Sequence, residues 1–233
     1  MQILKLKKLI SKILIKYNLN KKDAEICTKA LINAELVGAP SHGVSRLKMY
    51  CERIEKKVIN QKPKIKIKRV SNSVSFIDAD NSIGFVAADT GIKETIKIAK
   101  KTGIAFVGIK NSGHYGLSGY YIEQAVKKNL LAFAFTNAPP AIAPHGGKKT
   151  IFGTNPICFG SPTNNNIPFI LDTSMSMINR GKIRIAAKLN KSIPKGVALD
   201  KFGKQTTNAK DALSGVQLPC LLYTSDAADD SRS

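Results

Sequence analysis

Residues 104–119 read IAFVGIKNSGHYGLSG, a predicted strand (Ile104–Ile109) followed by a glycine-rich loop that leads into a predicted helix from Ser118 to Lys128. The loop carries His114. In an α/β sheet, ligands bind at such a junction because strand ends and helix N-termini converge there. The glycines follow the spacing GxxGxxG and not the GxGxxG of a Rossmann turn, so position is the better argument. His114 is a candidate catalytic residue, and a structural role in the loop is the alternative.

Working outward, the flanking segments alternate between strand and helix. Residues 73–78 predict a strand, residues 85–101 a helix and residues 130–136 another strand, which completes the order β, α, β, α, β. This order favours an α/β fold with some parallel pairing. Beyond Thr136, prolines and glycines separate short apolar runs at 157–160 and 169–171, which predict short strands joined by shaped loops.

The N-terminal part is predicted to be helical. Apolar residues recur at helical spacing over residues 3–17, Asn20 can cap a second helix that ends at Gly38, and a third helix is predicted from about Val44 to Lys57. The pattern changes from helical to alternating after Pro63. We therefore predict a helical domain over residues 1–70 and an α/β domain over residues 71–219.

A second histidine lies between two of these helices, in the sequence Pro-Ser-His-Gly-Val-Ser-Arg at 40–46. Ser41 can cap the next helix, and if that helix has begun, His42 and Arg46 share one face. A 2-keto acid needs a cation for its carboxylate and a proton donor at its carbonyl, which Arg and His supply. A helix start with surface His and Arg is the alternative. His145, in Pro-His-Gly-Gly, is interpreted as a turn residue.

Two further segments collect small polar side chains, namely Gly-Thr-Asn-Pro at 153–156 and Asp-Thr-Ser-Met-Ser-Met at 172–177. Their hydroxyl and backbone N–H groups can hold phosphate or ribose oxygens, although taken alone both segments are interpreted as turns with caps. The sequence contains no nucleophile elbow and no HExxH motif. A hydrolase and a metal site are therefore not predicted.

The composition indicates the class of protein and the kinds of partner to expect. With 43% hydrophobic and 23% charged residues the chain is globular in composition, and no run approaches the roughly 18 apolar residues of a membrane span. The lysine-rich N-terminus is not a signal peptide, and four dispersed cysteines favour structural thiols in a reducing cytoplasm. The net charge of +21 raises a basic nucleic-acid-binding protein as the alternative function. Because the lysines are spread along the chain, neither a nucleic acid nor a membrane is the predicted partner.

Taken together, four motifs in this order resemble those of the malate/L-lactate dehydrogenase family. That family is distinct from the Rossmann lactate dehydrogenases. It includes ureidoglycolate, sulfolactate and diketogulonate dehydrogenases and cyclic-imine reductases. The likeness extends from about Asp23 to Pro219, and it is carried by Ser-His-Gly-Val-Ser-Arg at 41–46, Gly-His-Tyr-Gly at 113–116, Gly-Thr-Asn-Pro at 153–156 and Asp-Thr-Ser at 172–174. The resemblance implies a helical N-terminal part plus a mixed-sheet domain that binds NAD or NADP, usually in a homodimer. It also accounts for the missing GxGxxG.

The resemblance further implies a reaction and the residues that perform it. A hydride passes between nicotinamide C4 and C2 of a small 2-hydroxy acid or 2-keto acid, while His114 or His42 exchanges the hydroxyl proton. Arg46 would clamp the carboxylate, with Ser41 beside the substrate. The implied cofactor contacts are Ala138, Thr154, Asn155, Asp172, Thr173, Ser174, Met175 and Ser176. The particular acid or imine and the choice between NAD and NADP stay open.

Two departures from the family pattern affect these expectations. Asn179-Arg180-Gly181-Lys182 keeps only the Gly-Lys pair that usually follows the Asp-Thr-Ser segment. After Leu218-Pro219 the family's glycine-rich turn is replaced by residues of different composition. We interpret residues 220–233 as a non-native tail on a C-terminally truncated chain, with a genuine short acidic tail as the alternative. An inactive fragment of the dehydrogenase is thus a further alternative for function.

Overall fold

The computed structural model describes residues 2–165 and 167–220 and divides the chain into two compact units. The first comprises residues up to Ala132 together with Phe159–Ile170, and the second comprises Phe133–Cys158 and the chain from Leu171 onward. The predicted tail, apart from Cys220, lies outside the described residues. The predicted domains at 1–70 and 71–219 follow different boundaries from these units and stay a prediction.

Seven α-helices and ten strands are assigned within the described residues. The helices are α1 Ile3–Lys16, α2 Lys21–Leu36, α3 Leu47–Glu55, α4 Gly84–Thr102, α5 Gly119–Val126, α6 Arg180–Lys188 and α7 Ala209–Ser214. The strands are β1 Lys66–Arg69, β2 Val74–Asp78, β3 Phe106–Lys110, β4 Ala132–Phe135, β5 Pro140–Ile142, β6 Phe152–Gly153, β7 Ile157–Ser161, β8 Phe169–Thr173, β9 Ala198–Leu199 and β10 Val216–Gln217. The α/β class predicted from the sequence is confirmed.

In the first unit, the N-terminal helices and the start of α4 share one hydrophobic core. The apolar stripe of α1 buries Ile10 and Leu14, and Asn20 caps α2 as predicted, its side chain accepting a hydrogen bond from the Asp23 N–H at 2.9 Å. Tyr50 of α3 and Phe85 of α4 lie in the same core, with ring centroids 4.9 Å apart. The helical segment is therefore packed directly on the element that follows β2.

The third predicted helix begins later than expected. Two short 3-10 turns, Pro40–His42 and Val44–Arg46, precede α3, and Gly43 between them is extended with φ −94° and ψ −141°. The prediction that His42 and Arg46 share one helical face is wrong, because Gly43 interrupts the helical backbone between them. Ser41 is not a helix cap either, since its hydroxyl instead lies 3.0 Å from His42 Nδ1.

The first unit also contains a small mixed sheet in the order β1-β2-β3. Strands β2 and β3 are parallel, with a register from Val74↔Phe106 to Asp78↔Lys110, and α4 connects them. Strand β1, which the sequence analysis did not predict, pairs antiparallel with β2. The expectation of some parallel pairing is thus confirmed, but β4 belongs to a separate sheet in the order β4-β7-β8.

The second unit has its own core and a four-stranded sheet in the order β6-β5-β10-β9. Helices α6 and α7 pack on each other over Ile178, Ile183 and Ala212. Both helices start at an asparagine cap, Asn179 for α6 and Asn208 for α7. The sequence analysis predicted none of these short elements individually.

Candidate active site

A tight turn positions Ser41, His42 and Arg46 in the first unit. Arg46 Nε donates to the Ser41 carbonyl oxygen at 2.7 Å, and Ser45 Oγ donates to the Pro40 carbonyl oxygen at 2.6 Å. The Glu35 carboxylate, from the end of α2, accepts the Val44 N–H at 2.7 Å. This carboxylate fixes the turn, and the sequence analysis did not identify it because its partner is nine residues away.

The loop bearing His114 is held against the first turn of α4. A side chain at Gly84 would place its Cβ 2.3 Å from the Gly113 carbonyl oxygen and 2.4 Å from that of His114. Gly116 adopts a left-handed conformation with φ +81°, which favours glycine. The two glycines therefore allow a close backbone approach that sets the position of the imidazole.

His114 is also held through its ring. Tyr50, which is 1% exposed, lies with its hydroxyl 2.6 Å from His114 Nδ1, and the Gly116 N–H donates to the same nitrogen at 3.3 Å. Because Nδ1 accepts from the Gly116 N–H, the proton of the neutral ring lies on Nε2. Sequence reasoning missed Tyr50, whose only signal was its place one turn after Arg46.

The structure brings the two candidate histidines together. The rings of His42 and His114 are stacked, with centroids 5.7 Å apart and an interplanar angle of 19°. Two sequence motifs chosen independently thus meet in one unit, beside Tyr50. Their catalytic role stays a prediction.

Burial and neighbouring positive charge make His114 a weak base. Burial, and after it charge repulsion from His42, Arg46 and Arg53, together lower its pKa to about 3. Burial likewise raises the pKa of Tyr50 above its ordinary value. At neutral pH the pair is therefore an uncharged imidazole and an uncharged phenol.

The candidate cofactor residues lie in the second unit, where hydrogen bonds join most of them. Asn155 Oδ1 accepts the Ala138 N–H at 3.0 Å, and a Cβ at Gly153 would lie 2.1 Å from the Ala138 carbonyl oxygen. The Thr154 carbonyl oxygen accepts the Met175 N–H at 2.8 Å. The two motifs at 153–156 and 172–177 are therefore adjacent, and their role as cofactor contacts stays a prediction.

The second of these motifs presents a run of hydroxyl groups. Ser174 Oγ and Ser176 Oγ are 3.1 Å apart, and Thr173 and exposed Asp172 end the strand β8 before them. Gln217 lies behind them, with Nε2 donating to Ser176 Oγ, while its buried Oε1 has no hydrogen-bond partner within the described part of the chain. The hydroxyls fit ribose or phosphate oxygens, whereas the carboxylate and the orphaned amide oxygen, which only accept hydrogen bonds, fit ribose hydroxyls.

Other kinds of site find less support. Within residues 2–165 and 167–220, no group of three or more His, Cys, Asp or Glu side chains could hold a metal ion. His145 lies exposed in a turn, as its sequence context predicts. None of the helices described is both long and apolar enough to cross a membrane.

Comparison with known proteins identifies the family to which this chain belongs. A family model described as malate/L-lactate dehydrogenase matches residues 1–223. The chain is 39% identical over 211 residues to the malate/(S)-sulfolactate dehydrogenase of Methanothermus fervidus, which covers 91% of this chain and 62% of that protein. It is 38% identical to the (2R)-3-sulfolactate dehydrogenase (NADP(+)) of Chromohalobacter salexigens, over 84% of this chain and 59% of the relative.

Solved structures show the same fold. The sulfolactate dehydrogenase of Methanocaldococcus jannaschii superposes with a TM-score of 0.85 at 38% identity, over 94% of this chain and 63% of that one. The chain thus spans about three-fifths of the length of the relatives that it matches. The predicted non-Rossmann, sulfolactate dehydrogenase-like fold is confirmed.

Proposed function

Because this chain belongs to the malate/L-lactate dehydrogenase family, we propose that it is a nicotinamide-dependent oxidoreductase that interconverts a small 2-hydroxy acid and its 2-keto acid. The observation that carries the proposal is the cluster in the first unit, in which His42 stacks on His114 and Tyr50 bonds to His114 Nδ1. Bound NAD or NADP would supply or accept the hydride at C2.

We assign His114 as the residue that exchanges a proton with the oxygen on C2 of the substrate. Tyr50 and Gly116 occupy Nδ1, so Nε2 is the nitrogen available to hydrogen-bond the oxygen on C2. A substrate carboxylate close to Arg46 would offset part of the positive charge that lowers the pKa of His114. Substrate binding would then raise the pKa of His114 towards the range in which imidazole exchanges protons near neutral pH. His42, stacked beside it, is the alternative acid or base.

Arg46 and Ser41 are assigned to the substrate carboxylate. The bond from Arg46 Nε to the Ser41 carbonyl fixes the direction of the guanidinium, whose charge suits a carboxylate. Ser41 Oγ is held in turn beside His42 Nδ1. A carboxylate held here would limit how the 2-oxo group can approach the imidazole rings.

The polar cluster of the second unit is assigned to the cofactor. Hydroxyls of Thr173, Ser174 and Ser176 would bind ribose or phosphate oxygens, with Asp172 as an acceptor for ribose hydroxyls. The backbone around Ala138, Thr154, Asn155 and Met175 would form the adjoining wall. The mutual hydrogen bonds and the orphaned Gln217 oxygen support this assignment.

We extend the proposal to the complete protein, for which the resemblance implies a homodimer. A cytoplasmic location is supported by four free cysteines, of which Cys27, Cys51 and Cys158 are buried. The choice among 2-hydroxy acids is not part of the proposal. Light scattering of the complete protein tests the homodimer, and a monomeric mass would contradict it.

Enzyme assays test the central proposal. Oxidation of NADH and of NADPH is followed with a panel of 2-keto acids, for the wild-type chain and for His114→Gln and His42→Gln. We expect the variant of the true acid or base to lose at least about 100-fold in kcat, the usual contribution of general acid–base catalysis. His145→Gln, on an exposed turn, is the matched control and should retain activity.

Direct binding separates the rival interpretations. Binding of NADH can be followed by the change in the fluorescence of its nicotinamide. Ser174→Ala together with Ser176→Ala should weaken NADH binding. Salt-sensitive retention of DNA without cofactor binding would instead favour the nucleic-acid interpretation. Cofactor binding without turnover would identify the chain as an inactive fragment.

A further inference from the structure

Tyr50 and His114 line part of a small cavity in the first unit. It has a volume of about 110 Å³, and its lining includes Arg53, Ser82, Gly84 and Ser112. A water molecule takes up roughly 30 Å³ in the liquid, so the space suits one group of a few heavy atoms. The proposed function uses none of these four residues.

Ser82 provides an unexplained polar group in the wall of this cavity. Its side chain is 1% exposed, and its Oγ has no hydrogen-bond partner among the residues that the structure describes. A buried hydroxyl without a partner is costly and rare in native proteins. The hydroxyl therefore suits a ligand that accepts a hydrogen bond inside the cavity.

Two sources of positive potential converge on the same space. The Arg53 side chain forms no ion pair or hydrogen bond within the described part of the chain, and its spacing from Tyr50 places both on the face of α3 that lines the cavity. Gly84 is the first residue of the 19-residue helix α4. The first N–H groups of a helix lack intrahelical partners, and the helix dipole is positive there. Anions bind in such places.

We propose that this cavity is a subsite for a single oxyanion group, a carboxylate, sulfonate or phosphate, held by Arg53, Ser82 and the first turn of α4. The group has two sources. It is either the second acid group of a doubly charged 2-hydroxy acid, which rests on the proposed function, or a free inorganic anion. In both cases a negative charge beside Arg53 offsets one of the charges acting on His114, while those of His42 and Arg46 remain.

The first experiment titrates sulfate into the 233-residue chain and follows the imidazole NMR signals of His114. We expect saturable shifts, and about tenfold weaker binding in Arg53→Gln and in Ser82→Ala, because each removes a donor to a charged group. Two matched controls should bind sulfate as the wild type does. Ser75→Ala removes another buried, unpartnered hydroxyl that does not line the cavity, and Arg184→Gln removes an exposed guanidinium of the second unit.

The second experiment distinguishes the two sources by comparing malate, which has two carboxylates, with lactate, which has one. If the substrate's second acid occupies the cavity, malate binds more tightly than lactate, and Arg53→Gln removes at least about tenfold of that preference. If only a free anion binds, sulfate shifts His114 but the preference is the same in both proteins. Equal affinity of the wild type, Arg53→Gln and Ser82→Ala for sulfate and for malate would overturn the proposal.

These outcomes are independent of the proposed function. Sulfate binding at Arg53 and Ser82, with neither reduction of any 2-keto acid nor binding of NADH or NADPH, would leave the subsite standing and contradict the dehydrogenase. If the chain reduces a 2-keto acid and neither Arg53→Gln nor Ser82→Ala changes the affinity for any acid or for sulfate, the dehydrogenase stands and the subsite is contradicted.

Discussion

The close approach of the His114 loop to α4 can be tested with Gly84→Ala. The added Cβ would lie 2.3 Å from the Gly113 carbonyl oxygen and 2.4 Å from the His114 carbonyl oxygen, well inside van der Waals contact. Both neighbours are backbone atoms, so relief requires the loop itself to move. Such overpacking costs about 1–3 kcal/mol of unfolding free energy, more than the gain of up to about 1 kcal/mol from replacing glycine by alanine in a helix.

Gly91→Ala, in the same helix, is the matched control. There the Cβ would lie 2.5 Å from Ile109 Cδ1, the end of a flexible side chain that can rotate away. We expect Gly91→Ala to be neutral or slightly stabilising in urea denaturation and Gly84→Ala to be destabilised by about 1–3 kcal/mol. The NMR signals of His114 should move in Gly84→Ala only. Equal stability of the two variants, with unchanged His114 signals, would refute the proposed packing of the loop.

Three further substitutions test the site. Tyr50→Phe keeps the ring but removes the hydroxyl 2.6 Å from His114 Nδ1. We expect the free energy of unfolding in urea to fall by about 1 kcal/mol and the His114 NMR signals to change. Identical His114 signals in the two proteins would mean that the bond is absent in solution. Glu35→Ala removes the charged acceptor of the Val44 N–H and should lower the free energy of unfolding in urea by about 1.5–3 kcal/mol. Glu35→Gln keeps an acceptor oxygen and should lower it less. Burial, followed by the charge of His42, lowers the pKa of His114 in the folded chain to about 3. As the pH falls, His114 is therefore protonated in the unfolded chain before it is protonated in the folded chain. The contribution of His114 to the free energy of unfolding is fully present above about pH 6.5 and is lost as the pH falls towards 3. The variant His114→Gln should therefore lose less stability than the wild type between pH 6.5 and pH 4, and parallel urea midpoints for the two proteins would contradict the low pKa.

Long, strongly patterned elements could be predicted from the sequence. The stripe of α1, the Asn20 cap and the parallel partners β2 and β3 follow from local periodicity and capping chemistry, and the structure contains all of them. Strands of two or three residues, such as β6 and β10, carry too few side chains for a periodicity to appear. Their existence depends on pairing with distant segments.

The site was predictable in its residue types but not in its supports. His42 and His114 could be chosen because titratable groups beside glycines at element junctions are uncommon. Tyr50 bonds to His114 from α3, and Glu35 bonds from α2 to the backbone of the turn that carries His42. Nothing in the local sequence of either residue distinguishes it from core or surface residues. Gly43 shows the limit most clearly, because a single extended glycine separates two residues that regular spacing would place on one face.

The bond between Tyr50 and His114 ties the imidazole of His114 to the buried helical core of the first unit. Tyr50 lies against Phe85 and among the side chains of α1 and α2, so the packing of this core sets the orientation of the imidazole. The ring would therefore keep its orientation on warming until α3 separates from this core.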